Sequence, residues 1–164
     1  MADEVARQIK NWLAHASKIV VAGIGNPIRT DDNVGLKIVE DLKGKLSEKV
    51  LLLEAETVPE NYLQEIEEFH PSHVLLIDAA VQGLKPGALS LVDAEKISAG
   101  SAVTTHVLPL RVFCDVVKQA TGAKIALLLV EPQNMDFGEG LTPPVQTAAE
   151  NVVKLLLNLL GSAA

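Results

Sequence analysis

A glycine-rich turn opens the most distinctive segment of this sequence, GIGNPIRTDDNVG at residues 23–35. Gly23 and Gly25 resemble the start of the dinucleotide-binding pattern G-x-G-x-x-G. The third glycine position, however, holds Ile28. The acids after the turn are also unfavourable beside a pyrophosphate. A dinucleotide site therefore remains only a minor alternative. We expect Gly25 and Asn26 to shape the site that the following acids form, without contacting its ligand.

Two adjacent acids, Asp31 and Asp32, follow that turn. The simplest structural interpretation is helix capping, in which Thr30 or Asp31 caps the next helix. One cap needs only one residue, so Asp32 is left in the first turn of that helix. In open α/β sheets, ligands bind beyond the carboxyl ends of the strands. Asp32 is therefore the first candidate ligand for a cation.

Asp78 and His106 are the other candidates for chemistry. Asp78 ends the apolar run HVLLID, and His106 lies in the small, polar segment AGSAVTTHVLPL before a helix. Each has an ordinary structural alternative, a turn for Asp78 and a hydrogen-bonded imidazole for His106. Together with Asp32 they would form an open site with two carboxylates and one imidazole. Such a site suits nickel, zinc or manganese, which can polarise a carbonyl and acidify a bound water.

Alternating strands and helices must position these residues. Short β-branched and aliphatic runs predict strands, and apolar spacings of three and four predict amphipathic helices. Continuous apolar strands between helices are typical of a sheet covered on both faces. We therefore expect an α/β fold, a three-layer α/β/α sandwich with a five-stranded, mostly parallel (mixed) sheet. The predicted strands are residues 18–25, 50–56, 73–79, 88–94 and 124–132, and the predicted helices are 3–14, 33–46, 58–69, 108–122 and 143–160.

The fourth strand departs from the parallel pattern. Only AAVQGLKPG, residues 79–87, separates it from the third strand, and a parallel crossover needs a dozen or more residues. We expect it to run antiparallel, ending away from Asp32 and Asp78. Residues 94–105 must then bring the chain back to His106, over a span of up to roughly 40 Å. We expect this long loop to become ordered when metal or substrate binds.

Composition excludes several classes of protein. The 164 residues carry a net charge of −7 and only 3% aromatic residues, so a nucleic-acid partner is not expected. No apolar run approaches the roughly 20 residues of a membrane span. Cys114 has no partner for a disulfide, and we expect it to pack in the core. The N-terminus lacks a signal-peptide pattern. We expect a single cytoplasmic domain over residues 1–164, in which His15, His70 and His73 are structural.

The ordered motifs resemble the [NiFe]-hydrogenase maturation endopeptidases. GIGNPIRTDDNVG is similar to the family's G-x-G-N turn with two acids, LLIDAAVQGLKPG to its strand-end Asp and turn, and EP with GLTPPV to its closing loop. TVPEN and TTHVLPL are closest to the subgroup serving formate-hydrogenlyase and energy-converting hydrogenases. The resemblance runs from residue 18 to about residue 156. It leaves the N-terminal helix, residues 1–17, without a function.

The resemblance implies a nickel-dependent endopeptidase. Such an enzyme removes a C-terminal peptide from the hydrogenase large-subunit precursor after nickel insertion. By position, Asp32, Asp78 and His106 would be its metal-binding and catalytic residues. The family's substrate supplies the nickel, so no tightly bound resident metal is expected. A monomer is the simplest expectation for an enzyme that must admit a large folded protein.

The sequence leaves open the role of one loop and the choice between three functions. In the loop QNMDFGEGL, residues 133–141, Met135 and Phe137 could contact substrate or cover the core. The same ligands could also serve a nickel-sensing chaperone that does not cut. A small-molecule metallohydrolase with its own zinc is a further alternative, and it predicts metal retained through purification.

Overall fold

The computed structural model describes residues 2–96 and 107–161. This part of the chain contains five strands and five α-helices, as the periodicities predict, and they alternate except that the fourth strand follows the third directly. Most boundaries agree within two residues. The second helix ends four residues early, before Gly44 with its positive φ of 76°, and the third helix begins five residues late, at Leu63, because residues 59–62 form a 3₁₀ helix instead. The elements are α1 Ala2–Trp12, β1 Ile19–Ile24, α2 Val34–Leu42, β2 Val50–Glu56, α3 Leu63–Phe69, β3 His73–Ala79, β4 Leu89–Asp93, α4 Val107–Thr121, β5 Lys124–Val130 and α5 Pro143–Leu160. Short 3₁₀ helices span Thr30–Asn33, Pro59–Tyr62 and Ala94–Lys96.

The strands form one mixed sheet in the order β2-β1-β3-β5-β4. β1 runs parallel to β2 and β3, and β3 runs parallel to β5. β4 pairs antiparallel with β5, from Leu89 opposite Val130 to Asp93 opposite Ala126. The expectation drawn from the short third connection is therefore confirmed. A turn of this length reverses the chain but cannot carry it back across a sheet.

Helices cover both faces of the sheet, so the three-layer sandwich is also confirmed. Buried side chains of α1, α2 and α5 pack on one face, and those of α3 and α4 pack on the other. β3 is buried along its whole length, as a central strand between two helical layers must be. Each fully buried Leu or Ile stabilises the fold by roughly 1.5–3 kcal/mol relative to an exposed one.

The first helix packs into the same core as α2 and α5 through Val5 and Ile9. At its end, the ring of Trp12 lies edge-on to the ring of His73, with 4.9 Å between centroids. His73 Nε2 lies 2.9 Å from the Trp12 carbonyl oxygen, and Nδ1 lies 2.8 Å from the Ser72 hydroxyl. Burial lowers the pKa of His73 below its ordinary value. The imidazole is a hydrogen-bonded core residue, as expected.

None of the helices in residues 2–96 and 107–161 combines the length and apolar character that crossing a bilayer requires.

The strand order places a topological switch point between β1 and β3. The chain leaves β1 toward β2 on one side, and β3 lies on the other side of β1. Ligands of open α/β sheets bind in the crevice outside the carboxyl ends of such strands. The residues after β1 and at the end of β3 therefore lie where a ligand of this fold would bind.

Candidate functional site

Close backbone packing explains the glycines of the turn. A Cβ on Gly35 would lie 2.2 Å from the Ile77 carbonyl oxygen and 2.8 Å from that of Ile24. A Cβ on Gly23 would lie 2.4 Å from the Gly35 carbonyl oxygen. Both contacts are shorter than any side chain tolerates. The glycines thus let the start of α2 lie directly on the ends of β1 and β3, rather than admitting a phosphate.

The Asp32 carboxylate is buried in that crevice, with 4% of the residue exposed. Its Oδ2 accepts a hydrogen bond from the Asn26 backbone N–H at 2.9 Å. Its Oδ1 is buried and has no hydrogen-bond partner among the described residues. Gly25, at φ 147°, permits this arrangement, because a Cβ there would lie 1.9 Å from the Asp32 carbonyl oxygen. Gly25 and Asn26 therefore shape the surroundings of Asp32.

The capping interpretation of Thr30 and Asp31 is wrong. Residues Thr30–Asn33 form a 3₁₀ helix that leads into α2, and neither helix has a side-chain cap. Thr30 takes a positive φ of 47°, which is strained for a β-branched residue. The Asp31 carboxylate turns away from α2 and accepts hydrogen bonds from residues 133–142 instead. Contacts with a segment a hundred residues away prevailed over a local cap.

Asp78 lies at the end of β3 and is fully buried. Its Oδ1 accepts the Ala79 backbone N–H at 2.8 Å. β1 and β3 are neighbours, with Gly23 opposite Ile77, and the 3₁₀ helix carrying Asp32 packs against β3. The assumption that Asp32 and Asp78 share one edge of the sheet is confirmed.

His106, the third predicted ligand, lies outside the described residues, as does most of the loop 94–105. The described chain carries β4 to its antiparallel end and then the 3₁₀ helix Ala94–Lys96. Within residues 2–96 and 107–161, no cluster of three or more His, Cys, Asp or Glu side chains is suited to hold a metal. The described part of the chain therefore supplies two of the three predicted ligands.

Two buried carboxylates at a switch point fit a cation. A carboxylate oxygen that is buried without a hydrogen bond is costly, and a positively charged partner would offset that cost. Asp32 Oδ1 is such an oxygen within the described structure. Carboxylate oxygens with an imidazole match the borderline divalent ions. Asp32 and Asp78 therefore fit the carboxylate part of the predicted ligand set.

The loop of residues 133–142 lies against the turn that carries Asp32. Met135 is partly buried against the core of α1, α2 and α5, whereas Phe137 is 74% exposed. The Arg29 guanidinium lies over the Phe137 ring, 4.9 Å from its centroid. Met135 therefore covers the core, as one of the two alternatives held, and Phe137 is exposed. Whether Phe137 contacts substrate stays a prediction.

Glu131 is a buried acid that the sequence interpretation overlooked. It follows β5 directly and is 4% exposed. Its Oε1 accepts the backbone N–H groups of Gln82 at 2.8 Å and Leu84 at 3.2 Å. Its own carbonyl oxygen accepts the N–H of Gly87 at 2.8 Å. Glu131 thus holds the turn after Asp78, and its position after a buried strand was the available signal.

Cys114 has the properties of a core residue and not of a nucleophile. It is 4% exposed on α4, and burial raises the pKa of its thiol to about 12. Reactive cysteines have the opposite shift and lie at accessible, electropositive positions. The interpretation of Cys114 as core packing is confirmed.

Comparisons with known proteins agree with this geometry. The family model described as HycI, hydrogenase maturation protease, matches residues 36–159. The chain is 28% identical over 156 residues to a putative hydrogenase maturation protease of Methanocaldococcus jannaschii, covering 90% of this chain and 91% of the relative. It is 28% identical over 137 residues to the hydrogenase 3 maturation protease of Escherichia coli K12, covering 84% and 87%.

Among solved structures, the chain is similar to the [NiFe] hydrogenase maturation protease HycI from Thermococcus kodakarensis. The TM-score is 0.87 at 30% identity, over 93% of this chain and 98% of that one. One assignment follows from the carboxylates at the switch point, the sheet order and the family match. That match spans more than half of the sequence. The chain belongs to the hydrogenase maturation protease family and is a peptide hydrolase.

Proposed function

We propose that this protein removes the C-terminal peptide of a [NiFe]-hydrogenase large-subunit precursor once nickel has been inserted. In this proposal the substrate brings the ion, and Asp32, Asp78 and His106 recognise it. Recognition of a substrate-borne ion would make cleavage depend on completed nickel insertion.

The observation that carries the proposal is the unpartnered oxygen of Asp32. Its carboxylate is held by one backbone N–H on one oxygen, while the other oxygen has no partner among the described residues. A carboxylate fixed in this way is preorganised to accept a cation without rearranging. Asp78 lies at the neighbouring strand end, held by the Ala79 N–H. Asp32 therefore offers an anionic oxygen, with Asp78 at the neighbouring strand end, where the sheet topology favours a ligand.

Each residue has a distinct task in this proposal. Asp32 and Asp78 bind the ion on the substrate and so place the scissile peptide at the crevice, which replaces a chance encounter by a fixed geometry. His106 completes the ligand set from the loop that follows β4. A borderline divalent ion, when bound, supplies Lewis acidity toward a carbonyl or a water. The proposal requires no cysteine or serine nucleophile.

The surface around the crevice suits a protein partner. Exposed apolar side chains follow the carboxyl ends of all four parallel strands, and parallel strands end at the same edge of a sheet. Scattered apolar residues are common on protein surfaces, but a group around one edge is typical of an interaction site. The residues are Ile28, Val58, Val81, Leu84 and Phe137, with exposures from 39% to 74%. We infer that this edge contacts the large subunit.

Three further properties belong to the same proposal. The enzyme holds no resident metal, acts as a monomer and works in the cytoplasm. The first would be measured as the nickel and zinc content of purified protein, and the second by light scattering. Stoichiometric zinc after purification would instead favour the small-molecule metallohydrolase.

The test of function is the intact mass of a large-subunit precursor after incubation with this protein. Nickel-loaded and nickel-free precursors are compared, and each is also incubated with the Asp32→Asn variant. We expect a single C-terminal loss only with the loaded precursor and the unchanged enzyme. Asp115→Asn, the same change at an exposed position of α4, serves as a matched control and should cleave normally.

Other outcomes select between the alternatives. A stable complex with loaded precursor but no loss of mass would point to a nickel-sensing chaperone. Cleavage of the nickel-free precursor at an equal rate would remove the proposed nickel requirement. Normal cleavage by Asp32→Asn would remove Asp32 from the site.

A further inference from the structure

The Asp31 carboxylate is fully buried and almost saturated with donors. Its Oδ2 accepts the backbone N–H groups of Gln133 at 2.8 Å and Asn134 at 2.9 Å, and the Thr142 hydroxyl at 2.7 Å. Its Oδ1 accepts the Thr142 backbone N–H at 2.8 Å. One side chain therefore binds both ends of the loop that joins β5 to α5. We call this loop, residues 133–142, the β5–α5 loop.

Further bonds fasten the same two segments. The Asp31 N–H donates to the Asn134 carbonyl oxygen at 3.0 Å, and the Thr30 N–H donates to that of Gly138 at 3.1 Å. The Thr30 hydroxyl donates to the Asp136 carbonyl oxygen at 2.7 Å. These contacts hold Thr30 in its strained conformation at φ 47°. Positive φ at a β-branched residue persists only where surrounding contacts require it.

The strained residue lies two positions before Asp32. Whatever holds Thr30 and Asp31 in place also sets the direction of the 3₁₀ turn that carries the Asp32 carboxylate. The same contacts fix the loop that displays Phe137 beside this turn. Asp31 is thus at the junction of the cation-binding turn and the exposed aromatic side chain.

We propose that Asp31 is a positioning residue for the hydrolase, which clamps the β5–α5 loop onto the turn bearing Asp32 and so sets both the substrate-facing loop and the metal-facing carboxylate. This inference rests on the proposed function for its consequence in catalysis, but the clamp itself is independent of it. Asp31 is not a ligand, because both of its oxygens are already occupied by donors from the loop. A carboxylate is needed at this position because it accepts hydrogen bonds on both oxygens and so satisfies all four donors, whereas an amide accepts on one oxygen only.

The first test is hydrogen exchange of the Gln133, Asn134 and Thr142 amides in Asp31→Asn. An Asn side chain places an NH₂ group against at least one of these donors and removes the charge. Local exchange of these amides should accelerate on the order of 10- to 100-fold, as expected for the loss of charge-assisted hydrogen bonds. Asp136→Asn makes the same change at an exposed position of the same loop, and exchange there should match the unchanged protein.

The second test separates a positioning role from a purely structural one through kinetics on nickel-loaded precursor. We expect Asp31→Asn to raise KM at least about tenfold with kcat changed less than about threefold, because the clamp places the substrate-facing loop. Thr142→Val removes one donor and should shift KM in the same direction, whereas Thr142→Ser keeps the hydroxyl and should restore it. These two variants keep the proposal testable if Asp31→Asn does not fold.

The outcomes distinguish the clamp from the proposed function. Unchanged exchange at the three amides in Asp31→Asn, or equal behaviour of Thr142→Val and Thr142→Ser, would overturn the clamp. So would a folded Asp31→Asn variant with wild-type KM. An unchanged enzyme that cleaves neither precursor would refute the proposed function, while the exchange result would still decide the clamp.

Discussion

Replacing Asp32 by Asn should stabilise the free protein while abolishing its activity. The Asp32 carboxylate is 4% exposed, and its Oδ1 has no hydrogen-bond partner in the described structure. A buried charged oxygen left in this way costs about 1–3 kcal/mol or more. The substitution removes the charge and keeps an oxygen for the Asn26 N–H, which donates at 2.9 Å.

A smaller effect opposes this gain. Asp32 lies in the first turn of the helical run that continues into α2, where a negative charge is favourable by about 0.3–1 kcal/mol. The net expectation is a gain of about 1 kcal/mol, which for a domain of this size corresponds to a rise in Tm of roughly 2–4 °C. Cleavage of nickel-loaded precursor should fall by more than about 100-fold, since even residues that only support metal ligands cost 10- to 100-fold.

The assay is thermal unfolding followed by circular dichroism in the presence of EDTA, beside precursor cleavage. Asp31→Asn is the informative comparison, because its carboxylate accepts four hydrogen bonds instead of one. Its Tm should fall, because each lost hydrogen bond to a charged group lowers the free energy of unfolding by about 1.5–3 kcal/mol. A drop of several degrees in Asp32→Asn, or cleavage at near-normal rate, would refute the reasoning.

Three further predictions concern packing and titration. Gly35→Ala should destabilise by about 1–3 kcal/mol or more and reduce cleavage, because its Cβ would meet the Ile77 carbonyl oxygen at 2.2 Å. Gly161→Ala, whose Cβ meets nothing closer than 3.9 Å, should unfold at or above the normal urea midpoint. Because burial holds the pKa of His73 below 6.5, the unfolded chain binds a proton first on acidification. The free energy of unfolding should therefore fall as the pH drops below about 6.5, and it should fall less in His73→Gln. Urea titrations of both proteins at pH 7.5 and 5.5 measure this difference. Burial raises the pKa of Cys114 to about 12, so its thiol should react with iodoacetamide at pH 8 about 1,000-fold more slowly than in the unfolded chain. Mass spectrometry follows the alkylation, and equal rates in the folded and unfolded protein would contradict the burial of Cys114.

Sequence reasoning was sufficient for most of the architecture. The strands and helices follow from local periodicity, which each segment carries within itself. The antiparallel fourth strand follows from the length of one connection, which is also a local property. Asp78 could be selected because it ends an apolar run, and Asp32 because two adjacent acids follow the glycine turn. His106 and its return loop stay predictions, since they lie outside the described residues.

The role of Asp31 could not be predicted in the same way. In sequence it is an acid before a helix, and capping is the local solution for such a residue. Its actual partners are Gln133, Asn134 and Thr142, which become neighbours only when β5 pairs with β3 and α5 packs against α2. Likewise, the division between Met135 and Phe137 depends on which side of the loop meets the core. Nothing in the spacing of the loop residues indicates that side.

The sequence by itself determined the order of elements and the class of fold, and it singled out Asp32 after the glycine turn and Asp78 at a strand end, because these depend on short-range patterns and chain length. Only the tertiary structure decided which of the two adjacent acids has an oxygen without a partner among the described residues and which is bound by four hydrogen bonds. That choice depends on donors from a segment about a hundred residues away in the sequence. Hydrogen bonds between distant segments form only after the sheet and its helices have assembled, so no local pattern can encode them visibly.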